Sequence, residues 1–209
     1  MPSLHVLIAT IGRPTLQAML DSILPFLNPE DHLTIVFDGV FPTVIRTESK
    51  GQVHIYHEET ALGSFGHGIR NKYARVLERT DFVMHADDDD TYEPGAFEAI
   101  HTLCTDPETL YIARMQIVNS RIIPVEDEIC DANVGTPNGI VPYDLNAKAE
   151  WGLMFGGDFS YYSALKQMAP KVVFLKNVIY RYNSVWVQYR KDLEAEWARL
   201  GQNGYGVPQ

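Results

Sequence analysis

The sequence predicts an α/β fold, with a mostly parallel central sheet and helices on both faces in a single domain. Two observations carry this. Over the first half of the chain, short continuous apolar runs of strand length alternate with stretches whose apolar residues recur at helical spacing. Each run also stops abruptly at polar or turn residues, as strands buried inside an α/β sheet do. With 209 residues the chain is most simply one domain with a sizeable core, and no internal repeat interrupts it.

The elements follow in order. LHVLIA (4–9) reads as a buried strand, bounded by TIGRP. From Thr15, Leu16, Leu20, Ile23, Leu24 and Leu27 fall at helical spacing, and Pro14 suits a helix start. LTIVF (33–37) is a second strand, closed by Asp38-Gly39, and QVHIYH (52–57) is a third. After a turn dotted with Gly63, Gly66 and Gly68, the residues Ile69, Tyr73, Val76 and Leu77 share one helical face. FVMHA (82–86) is a fourth strand, and Pro94 opens a helix carrying Phe97, Ile100 and Leu103. Beyond it, LYIARMQIV (110–118) suits a strand, while 119–146 holds turn residues, prolines and acids typical of a functional loop region. FSYYSALKQM (159–168) reads as helix, KVVFLKNVIYRY (171–182) as extended chain and KDLEAEWARL (191–200) as an amphipathic helix. The last residues, 201–209, read as a tail or linker.

Composition narrows the function. A formal charge of -10 argues against nucleic acid as a partner. No apolar run is long enough to cross a bilayer and no signal peptide precedes the first strand, so a soluble, cytoplasmic protein is expected. Cys104 and Cys130 have no metal-like spacing and suit a reducing compartment.

Open α/β sheets bind ligands beyond the carboxyl ends of their strands. Those ends carry Thr10, Asp38 and four consecutive aspartates, Asp87 to Asp90. Two adjacent carboxylates near 4 Å apart repel by roughly 4 kcal/mol at an effective dielectric of 20, which a bound divalent cation reverses. A solvated acidic loop with one capping aspartate is the plainer reading. An EF-hand loop fails, because Tyr92 stands where glycine is required. A phospho-aspartate phosphatase signature is met literally by Asp87, Asp89 and Thr91, but the later Gly-Asp partner with its second aspartate is missing from GGDFSYY.

Four segments decide between these. LIATIGRPTLQAMLDSIL, IVFDG, GIRNKYARV and MHADDDDTYEP, in that order, resemble GT-A-fold nucleotide-sugar glycosyltransferases of the inverting, family-2 type. Within that family the chain is similar to the N-terminal domain of multidomain chlorella-virus members, which implies further domains in a longer polypeptide. The resemblance implies a GT-A domain over 1–200, with a nucleotide-sugar-binding half (1–105) and an acceptor-binding half (106–200). It implies a UDP-sugar donor carrying a hexose or 6-deoxyhexose, a glycan acceptor, and Mn2+ or Mg2+ as cofactor. Asp38 would accept from the uracil N3–H, and Thr10 and Arg13 would line the nucleotide pocket. Arg70 would face the base or diphosphate. Asp87 and Asp88 would contact ribose and sugar, Asp89 would bind the cation, and Asp90 would be a loop or capping residue.

In WGLMFGGDFSYY, Asp158 stands at the head of a predicted helix, where the family keeps its general base in a Glu-Asp pair. Gly157 replaces the Glu, and the two glycines would let a substrate approach the backbone. The same aspartate reads equally as a helix N-cap, and Trp151 as either a sugar-stacking ring or core. Many relatives add a late histidine ligand, but Asn183 stands there, so metal binding would rest on Asp89, the diphosphate and water. His67 and His85 are further candidates for the site. A phospho-aspartate phosphatase-like hydrolase and a catalytically silent UDP-sugar-binding module remain the alternatives.

Overall fold

The computed structural model describes residues 1–182. Asn183, the helix expected over 191–200 and the tail 201–209 lie outside the described residues. Strand β1 (Leu4–Thr10) is buried along its whole length because both of its faces are covered. Leu4, Val6 and Ile8 enter one apolar layer and Leu7 and Ala9 another, the two-residue period of a strand. Helix α1 (Leu16–Asp21) is shorter than its apolar spacing suggests. Pro25 cannot continue the helical hydrogen-bond ladder, so Leu24–Phe26 forms a separate 3-10 turn.

β2 (His32–Asp38) and β3 (Gln52–Glu58) follow, then α2 (His67–Tyr73) and β4 (Phe82–Asp87). α2 also ends early. Ile69, Tyr73 and Leu77 are buried together, but the chain turns after Tyr73 and leaves Val76 exposed. The four strands pair in parallel in the order β3-β2-β1-β4. β1 therefore has β2 on one side and β4 on the other, the switch point at which such sheets open a crevice at their carboxyl end. Leu33, Ile35 and Phe37 of β2 join the α1 layer, while Ile69 and Tyr73 of α2 cover the opposite face.

The second half begins with β5 (Thr91–Tyr92) and α3 (Ala96–Leu103). Phe97 and Ile100 of α3 are buried in the α1 layer, and Leu103 is not. β6 (Thr109–Gln116), β7 (Ile122–Ile123), β8 (Gly139–Pro142), α4 (Tyr143–Asn146), α5 (Gly157–Met168) and β9 (Lys171–Arg181) complete the described chain. β8 inserts antiparallel between β4 and β6, β9 runs parallel to β6, and β5 pairs antiparallel with β9. The long ladders are all parallel, whereas each antiparallel contact joins only two residue pairs. The region expected to be irregular supplies β7, β8 and α4, elements too short to show a period. Among the described residues no helix is long and apolar enough to cross a membrane.

The amino end of the sheet is fixed by Asp31, which is fully buried. Its carboxylate accepts from the Leu4 amide and the Asn28 amide, both at 2.8 Å, and lies 3.2 Å from His101 Nε2 of α3. The hydrogen bond with Asp31 holds the His101 imidazole above its usual range. Asp31→Ala would take the acceptor from the buried Leu4 amide and the part-buried Asn28 amide and the carboxylate from beside His101, and should cost about 3–5 kcal/mol in urea unfolding. Because the His101 value is raised in the folded state, its contribution is complete below pH about 6.5 and fades as pH rises through the folded value. The cost of Asp31→Ala should accordingly be larger at pH 6 than at pH 8.5.

Candidate active site

Register puts the candidate residues on one edge. Ala9 pairs with Asp87 and Thr10 with Phe37, so Thr10, Asp38 and Asp87 end three adjacent strands. At about 4.8 Å per strand, Asp38 stands roughly 10 Å across the sheet from the aspartate run. Its carboxylate accepts from the Leu62 amide at 2.6 Å and the Gly63 amide at 2.8 Å, which ties down the loop before α2. Each oxygen keeps a further lone pair for a ligand donor.

The four aspartates divide by orientation. The Asp88 side chain is only 1 % exposed, and its two oxygens are held by the Thr10 hydroxyl, at 2.5 Å, and by the Arg13 guanidinium. Thr10 and Arg13 bind Asp88, and together they form an internal brace. Asp90 is fully buried in the turn, and it is Gly95, not Asp90, that caps α3. Asp87 and Asp89 remain at the surface, 30 % and 16 % exposed. Asp87 is oriented from β9, where the Tyr180 hydroxyl accepts from its amide at 3.0 Å. Sequence reasoning passed over Tyr180, which carries no local signal beyond its place in an apolar strand.

Helix α2 joins this edge to the second half. Arg70 is completely buried and donates to Asp87 Oδ1 at 2.5 Å, to the Phe65 carbonyl at 2.9 Å and to the Ala86 carbonyl at 3.2 Å. Its guanidinium also lies 5.2 Å from the centre of the Trp151 ring. Asn71 exchanges two hydrogen bonds with the Trp151 backbone, at 2.7 and 2.9 Å. His67, one turn before Arg70, contacts the Gly152 carbonyl at 2.6 Å through Nδ1 and faces Asp158 Oδ1 at 3.5 Å through Nε2. Asp158 lies in the first turn of α5 and is 24 % exposed.

One open alternative closes here and one expectation changes. Trp151 is core, stacked at 4.1 Å on Tyr161 and 2 % exposed, so it is not a free sugar platform. Gly157 does not make room for substrate: a Cβ there would overlap the Gly152 carbonyl and stand 2.5 Å from the His67 ring. His67 thus occupies the space into which a Glu at 157 would have to grow. Gly156 is required for a different reason, a backbone φ of +85° at the helix cap. His85 is fully buried against Asn146, and burial, then Arg70, lowers it to about 3, so it is a neutral packing residue. A recess of about 320 Å³ beside Pro2, Asp81 and Phe82 opens at the amino end of β4, away from all these groups.

Burial, then the charges of Asp87 and Asp88, push the Asp89 carboxyl up to about 6, against the pull of Arg13 at 3.8 Å. Carboxylate oxygens left in that state are what a hard divalent cation takes up, so the residues fit one. Among the described residues no group of three His, Cys, Asp or Glu side chains converges. The chain supplies part of a coordination shell at most, and a ligand would complete it.

By sequence, no protein-family model and no curated protein matches the chain. By structure, it is similar to S. aureus TarS (1-349), with a TM-score of 0.65 at 16% identity over 86% of this chain and 60% of that one. TarS 1-349 in complex with UDP gives 0.64 at 17% identity over the same shares. The mannosyltransferase PcManGT from Pyrobaculum calidifontis, in complex with GDP-Man and Mn2+, gives 0.58 at 13% identity over 99% of this chain and 66% of that one. The chain spans less than two thirds of the length of these structures. At such identities the likeness is one of fold, and the fold is the GT-A arrangement expected from the sequence.

The raised Asp89 value has a measurable sign. Its charged form is penalised in the folded state, so metal-free protein should lose stability as pH rises from about 4 through about 6. In EDTA at pH 7.5, Asp89→Asn should raise stability by on the order of 2 kcal/mol, a gap that closes toward pH 5 as the wild-type carboxyl protonates. Thermal melts at the two pH values check this.

Proposed function

We propose that this chain is the donor-binding and catalytic part of a metal-dependent inverting glycosyltransferase. It would move a hexose or 6-deoxyhexose, glucose- or rhamnose-like, from a UDP-sugar to a glycan hydroxyl. The observation that carries the reading is α2, which holds the donor-side Asp87 through Arg70 and sets His67 beside the candidate base Asp158. Side chains three apart on a helix stand about 5–6 Å apart at Cβ, so the two carboxylates are gathered around one short helix. A similar fold with UDP in TarS and with GDP-Man and Mn2+ in PcManGT supports a nucleotide-sugar donor.

In this reading Asp38 accepts from the uracil N3–H, and Asp87, fixed by Arg70, contacts the ribose. Asp88 does not touch the donor but holds Thr10 and Arg13 in the pocket wall. Asp89 and the diphosphate would hold Mn2+ or Mg2+, which when bound neutralises charge on the departing UDP. Asp158 takes the proton of the acceptor hydroxyl while that oxygen bonds to the anomeric carbon from the face opposite the diphosphate. The anomeric carbon–oxygen bond breaks with its electron pair on UDP. No enzyme-bound sugar intermediate forms, so no nucleophilic Ser or Cys is needed.

Calorimetry should find UDP binding to wild-type protein that needs Mn2+ and is weakened about tenfold or more by Asp89→Ala. The reading fails if wild type shows no metal-dependent UDP binding. Asp158→Asn should keep UDP affinity and lose roughly 10²-fold or more of the turnover of UDP-hexoses, followed as UDP release. Unchanged turnover in that variant would remove Asp158 as the base.

A further inference from the structure

The His67 ring is almost fully buried, and its contacts dictate where its protons lie. The Gly152 carbonyl can only accept, so the 2.6 Å contact requires a hydrogen on Nδ1. In the neutral ring this leaves a lone pair on Nε2, and that lone pair faces Asp158 Oδ1 at 3.5 Å. The distance exceeds the 2.7–2.9 Å typical of a charge-assisted hydrogen bond. Phe65 and Trp151 flank the ring, at centroid distances of 6.2 and 5.4 Å. Position 157 carries no side chain, and a Cβ there would stand 2.5 Å from ring atoms. The ring is therefore locked with Nε2 toward the carboxylate.

We propose that His67 is a positioning residue for the base, a proton acceptor aimed at Asp158. The proposal rests on Asp158 being that base. Before reaction the lone pairs of Nε2 and Oδ1 oppose each other. When Asp158 takes the hydroxyl proton of the acceptor, the new Oδ1–H donates to Nε2 and the repulsion becomes a hydrogen bond. Proton transfer is favoured to that extent, with no net change in the charge of the ring. Nε2 thus assumes a role that a Glu at position 157 has no room to play in this chain.

His67→Asn separates this role from a structural one. The asparagine amide nitrogen falls near the place of Nδ1 and keeps the donor to Gly152, while nothing replaces Nε2. In the full chain with Mn2+, kcat for UDP-hexose turnover should fall on the order of 10²-fold, with donor KM and UDP affinity within about twofold of wild type. In an Asp158→Asn background the same substitution should have no further effect, because the two act as one unit. Independently of turnover, 1H–15N correlation spectra of histidine-labelled protein should show a proton on Nδ1 of His67, and an Nε2 shift that moves in Asp158→Asn. A bare Nδ1, or wild-type kcat in His67→Asn where Asp158→Asn is inactive, overturns the dyad and leaves the base in place. Full turnover in Asp158→Asn instead overturns the reading on which the dyad rests.

Discussion

A single buried cation organises the molecule. Arg70 is a full charge at 0 % exposure, inside a chain whose formal charge is -10. Such a charge is tolerated only if it is paired and hydrogen-bonded. Its fork reaches a carboxylate and two main-chain carbonyls, which come from the end of β4 and from the loop before α2, and its flat face meets Trp151. A lysine has neither the fork nor the flat face to satisfy those partners together. The end of β4, the loop at 63–66 and the segment leading to α5 therefore all meet at one side chain.

The aspartate run is workable because its four members do not share one environment. Arg13 pairs with Asp88 inside the fold, where Thr10 also donates to it, and Arg70 pairs with Asp87. Asp89 is left with its burial and the remaining repulsion, and its carboxyl is raised to about 6. Clustered charge is thus sorted into a brace and a reactive position by the two arginines that flank it.

The sequence was most informative where physics is local. β1, β2 and β4 were legible because strands covered on both faces need unbroken apolar runs, and their polar ends marked the edge that matters. Helix lengths were less legible: Pro25 and the turn after Tyr73 cut short apolar patterns that continue into non-helical chain. Asp88 could not be told from Asp87 by composition, since only the turn after β4 decides which side chain points inward. His67 and Asp158 stand 91 residues apart in sequence, and no spacing rule connects them. The one local hint was Gly157, a glycine standing where a larger residue was expected, and its reason became visible only with the histidine packed against it.

The last described strand closes the first site. Thr91 pairs with Arg181, Tyr92 with Tyr180, and the Tyr180 hydroxyl holds the Asp87 amide. A chain leaving the ribosome amino end first can therefore assemble its parallel strands, with their neighbouring connections, well before the aspartate turn has its supports. Only when β9 has emerged and docked does that turn acquire its final shape. The geometry makes completion of the aspartate turn a late event in the life of the nascent polypeptide, after the parallel strands on which it sits.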